Sequence, residues 1–256
     1  NNMNSWAKDL DDWADLMTDQ VGNLMTYQLN SLFSIRKLPL HISLLQAAAR
    51  CWDPDLHVFR FNYEELCPTF EEFSRILEVD LDRDPVIPDV QDWYFKDLIS
   101  LSGLSKVQTS KILKDHHVDF ISLIRRFSPP GDPKDSNFHT YRNGVFCLCM
   151  MAQFLFHDHE DNPNDMLVNV ALQVGRRHNP MILCLAETFH GLDRAKRDGI
   201  PFISGSPYLL QLWLIERLQL APHPVSPIRM KIFHPGRTVM LLYSTADDWH
   251  AWMQKL

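Results

Sequence analysis

The sequence predicts a mainly α protein: a single compact helical domain with a short N-terminal extended segment and a C-terminal β-hairpin. Three observations carry this. Apolar residues recur at three- and four-residue steps through most of the chain. Helix-start devices recur too, either a Ser or Thr with a capping partner three residues on or an Asn or Ser followed by proline. The 256 residues include only 9 glycines, fewer than Gly-punctuated β or dinucleotide-binding architectures use.

In chain order, Ser5 to Phe33 places Trp6, Leu10, Trp13, Met17 and Leu24 on one helical face, with Asp9, Asp11, Asp12, Asp15 and Asp19 mainly between them. Residues 1–40 are therefore expected as an N-terminal amphipathic helix and 41–256 as the helical domain. A second helix covers His41 to Arg50 and stops before Trp52-Asp53-Pro54, because the residue preceding a proline is pushed out of helical geometry. Val58-Phe59-Arg60-Phe61 reads as a short strand and Asn62-Tyr63-Glu64 as its turn. Thr69 and Glu72 form a capping box for a helix whose apolar face is Phe70, Phe73, Ile76 and Leu77. Leu81 to Trp93 is loop-like. Ser105 with Gln108 opens a helix through Ile112 and Leu113, and Asp119 to Phe127 makes another.

Ser128-Pro129-Pro130-Gly131-Asp132-Pro133 is the clearest break, taken as a loop within one fold. His139 to His157 is expected as a buried helix. Its apolar run Val145 to Phe156 is too short to span a bilayer. Asn162-Pro163, Asn179-Pro180 and Ser206-Pro207 each launch a helix by the same device, a cap followed by proline at the first helical position. The helix from Tyr208 to Leu218 is apolar nearly all round and therefore internal. Past Pro227 the period becomes two: Ile228, Met230 and Ile232 alternate with Arg229 and Lys231. Pro235-Gly236 then turns the chain into Thr238 to Tyr243, a β-hairpin. Thr245 with Asp248 caps a last helix carrying Trp249 and Trp252.

A net charge of −7 and an isoelectric point near 5.9 argue against a surface that is one phosphate-binding field. The five cysteines sit largely in apolar segments and read as reduced core residues of an intracellular protein. No basic start followed by an apolar stretch marks a secretory leader. The missing initiator Met points to a piece of a longer chain.

Candidate chemistry is sparse. His157, Asp158, His159, Glu160 and Asp161 cluster downstream of Cys147 and Cys149. Those two cysteines, two apart on a helix, point roughly 200° apart and cannot readily share an ion. The cluster is better explained as a polar helix terminus. There is no nucleophile elbow, and Ser204-Gly205-Ser206-Pro207 is a helix cap. Walker loops, G-x-G-x-x-G and H-E-x-x-H are absent. The chain is expected to be no enzyme, with no cofactor.

For nucleic acid, the candidate contacts are Arg176, Arg177, Arg194, Lys196 and Arg197. They stand at two helix ends, where cations also complement the helix dipole. For a protein partner the candidates are Trp6 and Trp13, which would equally serve the domain's own core.

The order Trp52, His57-Val58-Phe59, then Thr69-Phe70-Glu71-Glu72-Phe73-Ser74-Arg75-Ile76-Leu77 resembles the opening signature of the plant mobile domain. Leu183 to His190, a basic turn, and Gly205 to Trp213 continue the likeness, which runs from about Leu44 to Leu220. Leu77-Glu78-Val79 stands where that family usually has a Gly-Leu-Pro-Val type stop. The C-terminal hairpin has no counterpart in it.

The resemblance implies a non-catalytic nuclear interaction module of transposon-related origin, acting in transposon silencing and genome maintenance beside a phosphatase-like protein partner. No lysine stands in a glycine-rich, phosphate-cradling context, so the family's "aminotransferase-like" label has no footing in these residues. Direct DNA binding through the local basic residues is the alternative.

Overall fold

The computed structural model describes residues 6–17, 30–89, 94–131, 135–158, 165–199, 204–220, 243 and 245–256. It is mainly α, with twelve helices and five short strands among the described residues. Contacts divide the chain into two compact units. One comprises Asn1–Phe33, Asp80–Gln153 and His157–Pro180; the other comprises Ser34–Val79, Phe154–Phe156 and Met181–Leu256. Each unit joins segments distant in sequence.

The first unit is built on α8 (Ser136–Phe154), whose residues up to Gln153 belong to it. Against it lie α1 (Ala7–Met17) and α7 (Phe120–Phe127). Trp6 stacks on Phe120 with ring centroids 4.8 Å apart, and Trp13 meets Phe146 edge-on at 4.9 Å. The buried Arg142 donates from Nε to Phe127 O and from a terminal nitrogen to Ser128 O, both at 2.8 Å. It thereby satisfies carbonyls at the α7 C-terminus, where a cation also suits the helix dipole.

Helices α5 (Phe95–Ser102), α6 (Lys106–Ile112) and α9 (Met166–Gly175) complete the unit. Ser105 and Gln108 form the expected capping box. The expected continuation of α6 through Leu113 stops one residue short. Leu113–Lys114 and His117–Val118 pair instead as a hairpin, β4 and β5. Asp115 and His116 both take positive φ, 48° and 62°, as a two-residue hairpin turn requires.

The second unit carries a three-stranded antiparallel sheet of β1 (Trp52–Asp53), β2 (Val58–Phe61) and β3 (Glu64–Leu66). β2 is the expected strand; its turn is shorter than expected, since Glu64 already pairs with Phe61. The unit's helices are α3 (Ile42–Arg50), α4 (Phe70–Ile76), α10 (Met181–Asp198), α11 (Pro207–Arg217) and α12 (Ala246–Met253), with α10 against β1 and α12 against α3.

The Thr69–Glu72 capping box is complete. Glu72 Oε2 also accepts from Trp213 Nε1 at 2.8 Å, and Glu72 pairs with Arg217. One carboxylate thus ties the start of α4 to α11. Ser206 caps α11 with Pro207 in the first turn, and its hydroxyl donates to Phe154 O at 2.7 Å. Gly191 and Gly205 let the 204–206 segment touch α10. A Cβ on Gly191 would lie 2.3 Å from Ser204 O, and one on Gly205 2.5 Å from Thr188 Cα.

Short α2 (Asn30–Ile35) runs from one unit's residues into the other's. The expected hairpin from Ile228 to Tyr243 and the Asn162-Pro163 helix start lie outside the described residues. So do His159, Glu160 and Asp161.

Candidate functional site

The signature residues converge on one carboxylate. Asp193, on the inward face of α10, accepts from Trp52 Nε1 at 2.7 Å through one oxygen. Its other oxygen faces His57 Nε2 at 3.4 Å. The imidazole is layered over Trp52 and Phe189, with centroids 5.9 and 5.6 Å away. His57 holds a left-handed φ of 55°, a conformation a non-glycine residue keeps only when its surroundings enforce it. Here an Asx turn does so: Asp53 Oδ1 accepts from Asp55 N and Leu56 N, and Asp53 O accepts from His57 N. The backbone N–H groups of Asp55 and Leu56, with Arg60 beside them, hold the Asp53 carboxyl below the usual carboxylate range. A histidine–carboxylate pair is thus present, with its carboxylate engaged on the other side by an indole.

Four cations of this face, Arg50, Arg60, Lys196 and Arg197, meet carboxylates or carbonyls. Arg60 pairs with Asp53 at 2.7 Å and with Glu65 at 3.0 Å. Arg50 pairs with Asp247. Arg197 stands 3.8 Å from Asp55, and Lys196 Nζ donates to Arg50 O at 2.5 Å. Arg194 is half-buried. Three of the five sequence candidates for nucleic acid therefore lie on α10 of the second unit, two of them already engaged by the protein.

Arg176 and Arg177 belong to the first unit, just past α9, and are exposed. Arg177 takes a φ of 73°, which turns the chain out of the helix. The next residue, His178, aligns its ring Nδ1 with Gln173 O at 3.1 Å. Asn179 then bridges to the loop before α5: its N–H donates to Asp84 O at 2.8 Å and its carbonyl accepts from Val86 N at 2.9 Å. Between this segment, α5 and the loop opens a cleft of about 270 Å³.

Its frame is a ladder of amides. Gln173 exchanges hydrogen bonds with the Ile87 backbone at 2.7 and 3.1 Å and donates to Asn169 Oδ1 at 2.7 Å. Asn169 donates to Asp97 Oδ2 at 2.8 Å. Asp89, Asp97, Asn169, Gln173, Arg176 and His178 line the space. Only Arg176 among them is a sequence candidate. Asn169 and Gln173, four apart on α9, are a helical stripe of amides that pattern reading passes over because amides mark no chemistry by themselves.

Trp6 and Trp13 are 1% exposed. Their rings pack in the core of the first unit, against Phe120 and Phe146. The apolar face that marks α1 as amphipathic is covered by α7 and α8. Cys147, Cys149 and Cys184 are buried, and burial pushes all three thiols up, away from the reactive thiolate. Among the described residues no three His, Cys, Asp or Glu side chains are grouped to hold a metal ion. No described helix is long and apolar enough to cross a membrane.

Residues 10–255 match the model of a family described as "Domain of unknown function (DUF7745)". The chain belongs to this family. It is also similar to an Arabidopsis thaliana protein named "Serine/threonine-protein phosphatase 7 long form homolog", at 25% identity over 215 residues. That match covers 81% of this chain and 15% of the relative, so the chain spans about one-seventh of that protein's length. No solved structure matches.

Proposed function

We propose that this DUF7745 chain is a plant-mobile-domain-type module of transposon-related origin. In this reading it is non-catalytic, works in the nucleus by holding a protein partner, and serves transposon silencing and genome maintenance. The observation that carries the reading is Asp193. The histidine–carboxylate pair of the signature is locked by the Trp52 indole and an Asx turn, so the residues that mark the family resemblance serve the fold.

The likeness to a longer plant protein, of which this chain covers 15%, fits a module carried within larger chains. The test is affinity capture from plant nuclear extract with the full chain as bait, together with nuclear imaging of a fluorescent fusion. One partner retained in stoichiometric amount, and lost on competition with untagged chain, is expected. No retained protein, or exclusion from the nucleus, overturns the reading.

Direct DNA binding is the second reading, favoured by one observation: the Arg176 guanidinium has no partner among the described residues. A gel shift at low salt decides it. Binding that weakens steeply with ionic strength and on Arg176→Gln would favour DNA, and no shift would remove it.

A further inference from the structure

The cleft beside α9 holds polar groups of both signs that have no partner among the described residues. Asn169 Oδ1 already accepts two hydrogen bonds, from Gln173 Nε2 and Asp89 N. Both N–H bonds of the Gln173 amide are used. These amides fix the frame. The groups left over are the Arg176 guanidinium and the Asp89 carboxylate, neither with a partner among the described residues. With them stand the second oxygen of Asp97 and Nε2 of His178. Because Gln173 O can only accept, Nδ1 of His178 must donate to it, so Nε2 accepts whenever it carries no proton.

The cleft therefore offers one forked cationic donor and three acceptors, two of them anionic. A polyanion satisfies the guanidinium only by meeting two carboxylates, and a simple cation leaves the guanidinium unmatched. A molecule carrying both a carboxylate and an ammonium group satisfies the whole set. Carboxylate suits the guanidinium fork, and an ammonium group brings three donors to three acceptors. A volume of about 270 Å³ equals about nine waters at ~30 Å³ each, the scale of a free amino acid and below that of drug-sized ligands.

We propose that this cleft binds a small zwitterion of free-amino-acid size, with its carboxylate on Arg176 and its ammonium group among Asp89, Asp97 and His178. This stands apart from the partner reading and can succeed or fail without it. The experiment titrates the common free L-amino acids into the full chain by ligand-observed NMR and calorimetry. For any that bind, it adds the des-amino acid, the amino amide and inorganic phosphate.

At least one amino acid should bind more tightly than about 10 mM, and each analogue lacking one charge should bind about tenfold more weakly. Arg176→Gln and Asp89→Asn, both at exposed side chains, should each weaken binding about tenfold or more while melting like the native chain. The proposal is overturned if no amino acid binds. It is equally overturned if phosphate or the des-amino acid binds as well as the zwitterion, or if both variants bind as the native chain does.

Discussion

Replacing Glu72 with alanine should destabilise the second unit by about 2–4 kcal/mol. Three interactions go at once. The return bond of the capping box, Glu72 Oε2 to Thr69 N at 3.0 Å, stabilises the start of α4 by about 0.5–1 kcal/mol. The Trp213 indole donates to the same oxygen at 2.8 Å. Trp213 is 2% exposed, so its N–H would be left buried without an acceptor, at about 1–3 kcal/mol. The Arg217 pair contributes least, about 0.5 kcal/mol, because that side chain is 51% exposed and screened by solvent.

Urea unfolding followed by far-UV circular dichroism measures the sum. Glu72→Gln keeps an acceptor for the indole and should cost about 1 kcal/mol. In a Trp213→Phe background the indole N–H is already gone, so Glu72→Ala should cost about 1–2 kcal/mol less than in the native chain. A loss below about 0.5 kcal/mol in Glu72→Ala, or an equal loss in both backgrounds, would refute the claim that this carboxylate joins α4 to α11.

Gly191→Ala forces a methyl group to within 2.3 Å of the Ser204 carbonyl. Backbone cannot swing aside as a side chain can, so a loss of about 3 kcal/mol is expected; a melting temperature within a degree of native would contradict the contact. Burial holds His41 below its usual value, and burial with the charges of Arg50 and Lys196 does the same to His250. The unfolded chain then takes up protons first, so stability is full above about pH 6.5 and falls as the pH drops through that value. Urea midpoints between pH 7 and 5 should show this decline, shallower in His41→Asn; a flat or rising profile on acidification would count against it. Of the five cysteines, only Cys67 is exposed. One equivalent of thiol should react rapidly with a disulfide reagent in the native chain and all five after unfolding; several fast-reacting thiols in the native chain would contradict the burial of Cys51, Cys147, Cys149 and Cys184.

Local devices were legible in the sequence because their physics is local. Thr69 with Glu72, Ser105 with Gln108, and Ser206 before Pro207 cap their helices as their spacing predicts. Val58 to Phe61 is the strand its residues suggest. A side chain three residues from an unpaired backbone N–H meets it whatever the rest of the chain does. The β4–β5 hairpin is not legible in the sequence because its turn is Asp115-His116, and neither residue advertises a positive φ as glycine would.

What only the tertiary structure decided was which residues share a neighbourhood. Asp193 is one aspartate among many until α10 brings it to Trp52 and His57, 141 and 136 positions away in the chain. Arg176 looks like a helix-end cation until the Asp84–Asp89 loop closes a cleft beside it. Trp6 and Trp13 could face either way until α7 and α8 cover them. Periodicity records that a face is apolar; it does not record what covers that face. A cation's role is set by the partners that long-range folding places within a few ångströms of it.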